Sequence, residues 1–184
     1  RADLEKHIQA GAPRVLLSVP PKEELDATVV LGVNDHVLTG KEVLLSNASC
    51  TTNAAATVTK IINDAFPIQR GYINTIHAYT NDQHLKDMPH DDWRRSRSAP
   101  LSIIPTTTGA AKAVGKVIPS LAGRLDGVSY RVPVPDGSIA DMLFQVNQDV
   151  TITQVNDAVR TACENEMKGI VEYCTDPIVS IDII

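Results

Sequence analysis

From Gly71 to Thr80 the chain reads GYINTIHAYT, β-branched and aromatic residues with a period of two. That pattern predicts a strand with Tyr72, Asn74, Ile76 and Ala78 on one face and Ile73, Thr75, His77 and Tyr79 on the other. Shorter apolar runs predict strands at Arg14–Val19, Thr28–Val33 and Glu42–Leu45. Asp3–Ala10 reads as the end of a helix stopped by Gly11 and Pro13. Thr51–Phe66 is alanine-rich with helical spacing and stops at Pro67. Gly109–Ile118 predicts a further helix, ended by Pro119. Val128–Val134 and Ser138–Val150 read as a strand pair around the turn Pro135–Gly137. The helix predicted at Ile152–Lys168 has the clearest start. Thr151 and Gln154 form a capping box, and Val150 with Val155 a hydrophobic staple. Its apolar stripe is Ile152, Val155, Ala158, Val159, Ala162, Cys163 and Met167, with Gly169 as the C-terminal cap. Ile170–Cys174 and Ile178–Ile183 complete the pattern as two strands.

The sum is an α/β chain whose second half is an α+β unit: a mixed sheet with about three helices, mainly on one face. No repeat or low-complexity segment appears. The chain opens mid-helix and closes on the strand pattern PIVSIDII, which reads as part of a longer protein.

Composition narrows the class. Of 184 residues, 43% are hydrophobic and 21% charged, enough for a soluble protein with a real core. A net charge of −5 gives nucleic-acid binding little electrostatic support. The longest uncharged stretch, Val43–Thr59, is crowded with Ser, Asn and Thr and is a poor membrane span. The first twelve residues lack the apolar core of a signal peptide. Three cysteines, few and odd in number, fit a reducing, cytoplasmic setting. No two of the ten glycines stand two apart, so no G-x-G exists to cradle a dinucleotide.

The chemistry concentrates at Cys50, in SNASCTTN, between a strand and the first turn of a helix. Unsatisfied N–H groups there carry roughly half a positive charge, which lowers a thiol's pKa. Ser49, Thr51 and Thr52 can cap the helix and donate to an oxyanion. The segment alone leaves two readings open, because small polar residues open many ordinary helices and cysteine is often a small buried hydrophobe. His77 follows on the next strand. A strand–helix–strand unit would return that strand beside the first, so the imidazole is expected to reach the thiol. A core histidine on a sheet face remains the other reading. His7, His36, His84 and His90 have no such placement, the histidines lack a metal-ligand spacing, and no C-x-x-C exists. Cys163 and Cys174 read as structural.

Two further features suit anions. Arg94, Arg95 and Arg97 form RRSR in the charged loop Asn81–Pro100, and Thr106–Gly109 opens a helix with hydroxyls and free N–H groups. Both are also common as solvated surface and as ordinary caps. Arg131, mid-strand in SYRVP, needs a carboxylate or oxyanion partner. Thiol, base and anion sites together point to acyl chemistry on a phosphorylated substrate.

The motifs SNASCTTN, HAYTNDQ, RRSRSAPLSIIPTTTGAAKAVGKVIP and RVPVPDGSIADM, preceded by LLSVPPKE and VVLGVN, stand in an order that resembles the phosphorylating glyceraldehyde-3-phosphate dehydrogenases. The resemblance covers essentially the whole chain. It implies that residues 1–48 are the remnant of an NAD-binding Rossmann domain and 49–184 a catalytic domain. It implies Cys50 as the nucleophile and His77 as its base. Ser49, Thr51, Thr108, Gly109 and Arg97 would bind the attacking inorganic phosphate. Thr80, Asp82 and Arg131 would bind the phosphate of the aldehyde substrate, and Arg95 would be structural. Ser18 and Asn81 would lie near the nicotinamide of NAD. The loop Asn81–Pro100 would line a neighbouring subunit's cofactor site in a homotetramer. Two departures stand out: Ala54 where many members have a second cysteine, and Asp136-Gly137 for the usual Asn-Val. Erythrose-4-phosphate dehydrogenase, a cysteine hydrolase using the same pair, and a non-catalytic fragment stay open at this level.

Overall fold

A computed structural model describes all 184 residues. Helix α1 (Ala2–Gln9) precedes three short strands, β1 (Val15–Leu17), β2 (Ala27–Thr28) and β3 (Leu44–Ser46). They form an all-parallel sheet in the order β1-β3-β2. The strand expected at Thr28–Val33 is mostly a turn. Asn34, buried, pins it: its side-chain oxygen accepts from the Val30 N–H (2.8 Å) and its amide donates to the Thr28 carbonyl (2.9 Å).

The end of β3 sets up everything that follows. Ser46 is fully buried; its hydroxyl donates to the Val19 carbonyl (2.9 Å) and accepts from the Ala48 N–H (3.0 Å). Ala48 then takes a left-handed backbone, φ 63°, and is itself buried. Such a conformation is costly for a residue with a Cβ. Here it turns the chain sharply from strand into α2 (Cys50–Ala65).

After Phe66, Pro67 prevents further helix and β4 (Ile68–Ala78) begins. The strand is the heart of a second sheet, ordered β5-β6-β4-β7, with β5 at Ile104–Thr106, β6 at Leu125–Val132 and β7 at Ser138–Val146. β4 runs parallel to β6 and antiparallel to β7. Its period-two pattern is realised: Ile73, Thr75 and His77 are buried, and Tyr72 on the other face is exposed. The helices α2, α3 (Ala110–Val117) and α4 (Ile152–Glu164) cover the buried face. The main core joins Val30, Val33 and Ala48 to Ala55, Ile73 and Val114. Ile139 and Leu143 of β7 share the uncovered face with Tyr72.

Several sequence expectations change. β6 and β7 are not a hairpin pair, because β4 lies between them. The connection through Gly137, φ 81°, passes the end of β4, where the Ala78 N–H donates to the Gly137 carbonyl (3.1 Å). Wrapping both strands around β4 satisfies both of its edges and buries Ile73 completely. β5 carries no alternation long enough to announce it. β7 stops at Val146, leaving Val150 to pack as the staple of α4 beside Val155. The capping box forms as expected, with the Gln154 carboxamide accepting from the Thr151 N–H (2.8 Å). α4 ends at Glu164 rather than Lys168, and Gly169, φ 78°, closes the turn that follows it. Ile152 lies off the buried stripe, 82% exposed. Residues 170–174 and 178–183 are not strands. No sheet edge receives them, and Ser180–Ile183 is a short 3₁₀ turn with exposed isoleucines. No helix is long and apolar enough to cross a membrane.

Candidate active site

The start of α2 places the thiol. Ser49 is the N-cap, with extended backbone, and its hydroxyl accepts from the Thr52 N–H (3.0 Å). Cys50 is therefore the first helical residue, with the positive end of a 16-residue helix beneath it. Asn53 ties the approach by donating to the carbonyls of Asn47 (2.7 Å) and Ser49 (2.9 Å).

The strand end places the imidazole. His77 is the penultimate residue of β4, on the helix-covered face, and its Nε2 lies 3.3 Å from Cys50 Sγ. The expected contact is made, by a different route. β3 and β4 belong to different sheets, so they are not neighbouring strands; the N-terminus of α2 instead abuts the C-terminal end of β4. The thiol is pulled down to about 7, chiefly by its hydrogen bond to His77 and further by the charge of that ring and the Thr51 hydroxyl and N–H, against a desolvation cost. The imidazole is the largest single cause, and the first-turn Thr51 groups add to it. Its bond to Cys50 raises His77 in turn, while burial and the nearby Arg131 charge oppose that rise.

Arg131 is the register partner of His77 on β6, so both side chains leave the sheet on the same face. Its Nη1 lies 2.7 Å from His77 Nδ1 and donates to the Ala78 carbonyl at 2.9 Å. Opposite stands the start of α3, where the Thr108 hydroxyl accepts from the Ala110 N–H (3.1 Å) after the Gly109 N-cap. Two helix N-termini and one guanidinium therefore converge on a cavity of about 270 Å³. Its walls include Ser49, Cys50, Thr51, His77, Thr80, Thr108, Gly109 and Arg131, eight of the residues named from sequence. Such a cavity is built for anions beside an ionised sulfur.

The other four lie elsewhere. Arg97 points away; it pairs with Asp87 (3.1 Å) and lines a separate depression with Trp93. Arg95, set aside as structural, turns inward instead. It is paired with Asp82, donates to the Thr107 hydroxyl (3.3 Å) and acts electrostatically on Arg131. In a loop, alternate arginines carry no period that says which one faces inward, so the sequence could not choose between them. Asp82 is held by Arg95, with His90 Nε2 at 3.7 Å, and does not line the cavity. Ser18 and Asn81 are exposed on its margin, within two residues of the wall residues Pro20 and Thr80. Sequence reasoning also passed over Gln83. It is buried and accepts from the Thr80 N–H (3.0 Å) and hydroxyl (3.2 Å), fixing that wall.

A sequence profile for the glyceraldehyde 3-phosphate dehydrogenase C-terminal domain matches residues 49–184. The chain belongs to the glyceraldehyde-3-phosphate dehydrogenase family. It is similar to glyceraldehyde-3-phosphate dehydrogenase 2 of Streptomyces avermitilis, 52% identical across all of the chain and 55% of the relative. The enzyme of Borreliella burgdorferi is 54% identical across 95% of the chain and 52% of the relative. Glyceraldehyde-3-phosphate dehydrogenase 1 of Bacillus subtilis is 50% identical across 99% of the chain and 54% of the relative. The chain spans about half the length of the curated relatives it matches.

Proposed function

We propose that this chain is the catalytic part of an NAD-dependent, phosphorylating glyceraldehyde-3-phosphate dehydrogenase, a glycolytic oxidoreductase of the cytoplasm. The observation that carries the reading is the 3.3 Å contact between Cys50 Sγ and His77 Nε2 inside an anion-seeking cavity. Residues 1–48, with their parallel sheet, are assigned to the nucleotide-binding unit and 49–184 to catalysis. Ser18 and Asn81, exposed beside the cavity, fit the nicotinamide end of the cofactor. No G-x-G is present to hold its pyrophosphate. The resemblance implies a homotetramer, and the uncovered apolar face of Tyr72, Ile139 and Leu143 is the surface we assign to burial between its subunits.

The Cys50 thiol gives its proton to His77 Nε2 and adds as thiolate to the aldehyde carbon; the new oxyanion, held by N–H groups at the start of α2, takes that proton back from His77 and becomes a hydroxyl. NAD, when bound, supplies the acceptor for the hydride lost as this adduct becomes a thioester. His77 takes the proton of the adduct's hydroxyl in the same step. Thr80 and Arg131 hold the substrate's own phosphate. Ser49, Thr51, Thr108 and Gly109, with Arg95 in place of Arg97, hold the inorganic phosphate. That phosphate attacks the thioester carbonyl, the Cys50 thiolate leaves, and an acyl phosphate departs. The 184-residue chain alone is expected to bind NAD weakly, so the test uses the full-length protein: mass spectrometry after a quench with glyceraldehyde 3-phosphate and NAD, without phosphate, is expected to find the acyl group on Cys50. An acyl group absent from Cys50, or turnover without NAD, would sink the assignment.

A further inference from the structure

His77 Nδ1 has two neighbours that make opposite demands. The Ala78 carbonyl, 2.7 Å away, can only accept and so requires a proton on Nδ1. Arg131 Nη1, also at 2.7 Å, can only donate and so requires the Nδ1 lone pair. Both cannot be satisfied together. The same guanidinium nitrogen donates to the same carbonyl at 2.9 Å, so it competes with the imidazole for that oxygen. Arg131 Nε is buried with no partner at all, which leaves the guanidinium incompletely satisfied where it stands.

We propose that Arg131 sets which nitrogen of His77 carries the proton, and that a phosphate monoester in the cavity resets it. The proposal rests on the functional reading above and adds a coupling to it. With the guanidinium against the ring, Nδ1 accepts, Nε2 holds the proton of the neutral ring, and His77 has no lone pair with which to take the thiol's proton. An anion on Arg131 draws the guanidinium off Nδ1. The ring then loses its Nε2 proton to water and gains one at Nδ1, which donates to Ala78; no net charge moves. Nε2 becomes the base facing Cys50. The charged groups around this relay are Cys50 from α2, Arg131 from β6, and Arg95 with Asp82 from the loop after β4. The direction agrees with electrostatics, because the Arg131 charge disfavours a doubly protonated His77 and an anion offsets it. Arg131 is thus a positioning residue for the base as well as a ligand for substrate phosphate. Substrate binding would then assemble the catalytic state only when the phosphorylated end is in place.

The test is ¹⁵N NMR of the His77 ring in Cys50→Ala, where no thiolate biases Nε2. At high pH without anion the expected tautomer carries its proton on Nε2. Saturating glycerol 3-phosphate moves the proton to Nδ1. Cys50→Ala with Arg131→Met shows the Nδ1 tautomer with or without the ligand. In the wild-type chain the same ligand carries the doubly protonated ring to higher pH. An Nδ1 tautomer in the anion-free Cys50→Ala protein, or a tautomer that ignores glycerol 3-phosphate, overturns the coupling. Iodoacetamide labelling of the wild-type chain separates the two failures. Preferential labelling of Cys50 with an unresponsive tautomer defeats the coupling alone, whereas loss of that preference defeats the functional reading beneath it.

Discussion

His77 is the largest single cause of the lowered Cys50 thiol, so it is the side chain whose removal speaks most directly. A thiol pulled down to about 7 gains its thiolate as pH rises through neutrality. His77→Ala is expected to move the midpoint of iodoacetamide alkylation up toward the free-thiol value of about 8.5, with roughly tenfold less thiolate at pH 7. Stopped labelling across a pH series measures this, with Cys163, whose thiol is raised by burial and neighbouring carboxylates, as the internal slow reference. The two arginines give a paired contrast. Arg95→Gln removes a guanidinium held beside the cavity and is expected to weaken inorganic phosphate about tenfold, as for one charge-assisted hydrogen bond. Arg97→Gln breaks only an exposed ion pair with Asp87 and is expected to leave phosphate affinity unchanged. Phosphate KM for the two variants decides between them.

Helix starts separate local stability from chemistry. Ser49→Ala and Thr151→Ala each remove a side-chain cap and are expected to cost about 1 kcal/mol. Only the first loosens the turn that aims Cys50, so only Ser49→Ala is expected to slow Cys50 alkylation. Urea unfolding and labelling rates on both variants check the distinction. These starts were legible in the sequence because capping is local: Ser49, Thr151 and Gln154 act within one turn. The helix cover and the faces of β4 were legible too, from period along the chain; the meeting of Cys50 with His77 was expected from neighbouring strands, but the start of α2 against the end of β4 makes it. What failed was non-local. The β6–β7 hairpin reading lost to β4, because a turn such as Asp136-Gly137 says where a chain bends and not which strand it comes to rest beside. Three-residue β5 is below the length at which alternation is visible. The terminal isoleucine-rich runs have strand composition, but a strand exists only where an edge accepts its hydrogen bonds.

At the scale of the whole molecule, the main core ignores the boundary proposed at residue 48. Val30 and Val33 pack in one cluster with Ala55, Ile73 and Val114, under the sheet that carries His77. The two parts are therefore expected to unfold together. Val30→Ala, at a fully buried position, is expected to cost roughly 2 kcal/mol and to lower Tm by about 5 °C in a single calorimetric transition. Two separated transitions, with only the first shifted, would contradict that. A different consequence follows from the pairing of His77 with Arg131 on adjacent parallel strands. A slip of one residue between β4 and β6 sends one of the two to the opposite side of the sheet. A chain in which β4 turns its other face to the helices keeps its sulfur but loses the imidazole that does most to ionise it. Slow-reacting Cys50 in a preparation then marks molecules whose β4 presents the wrong face to α2.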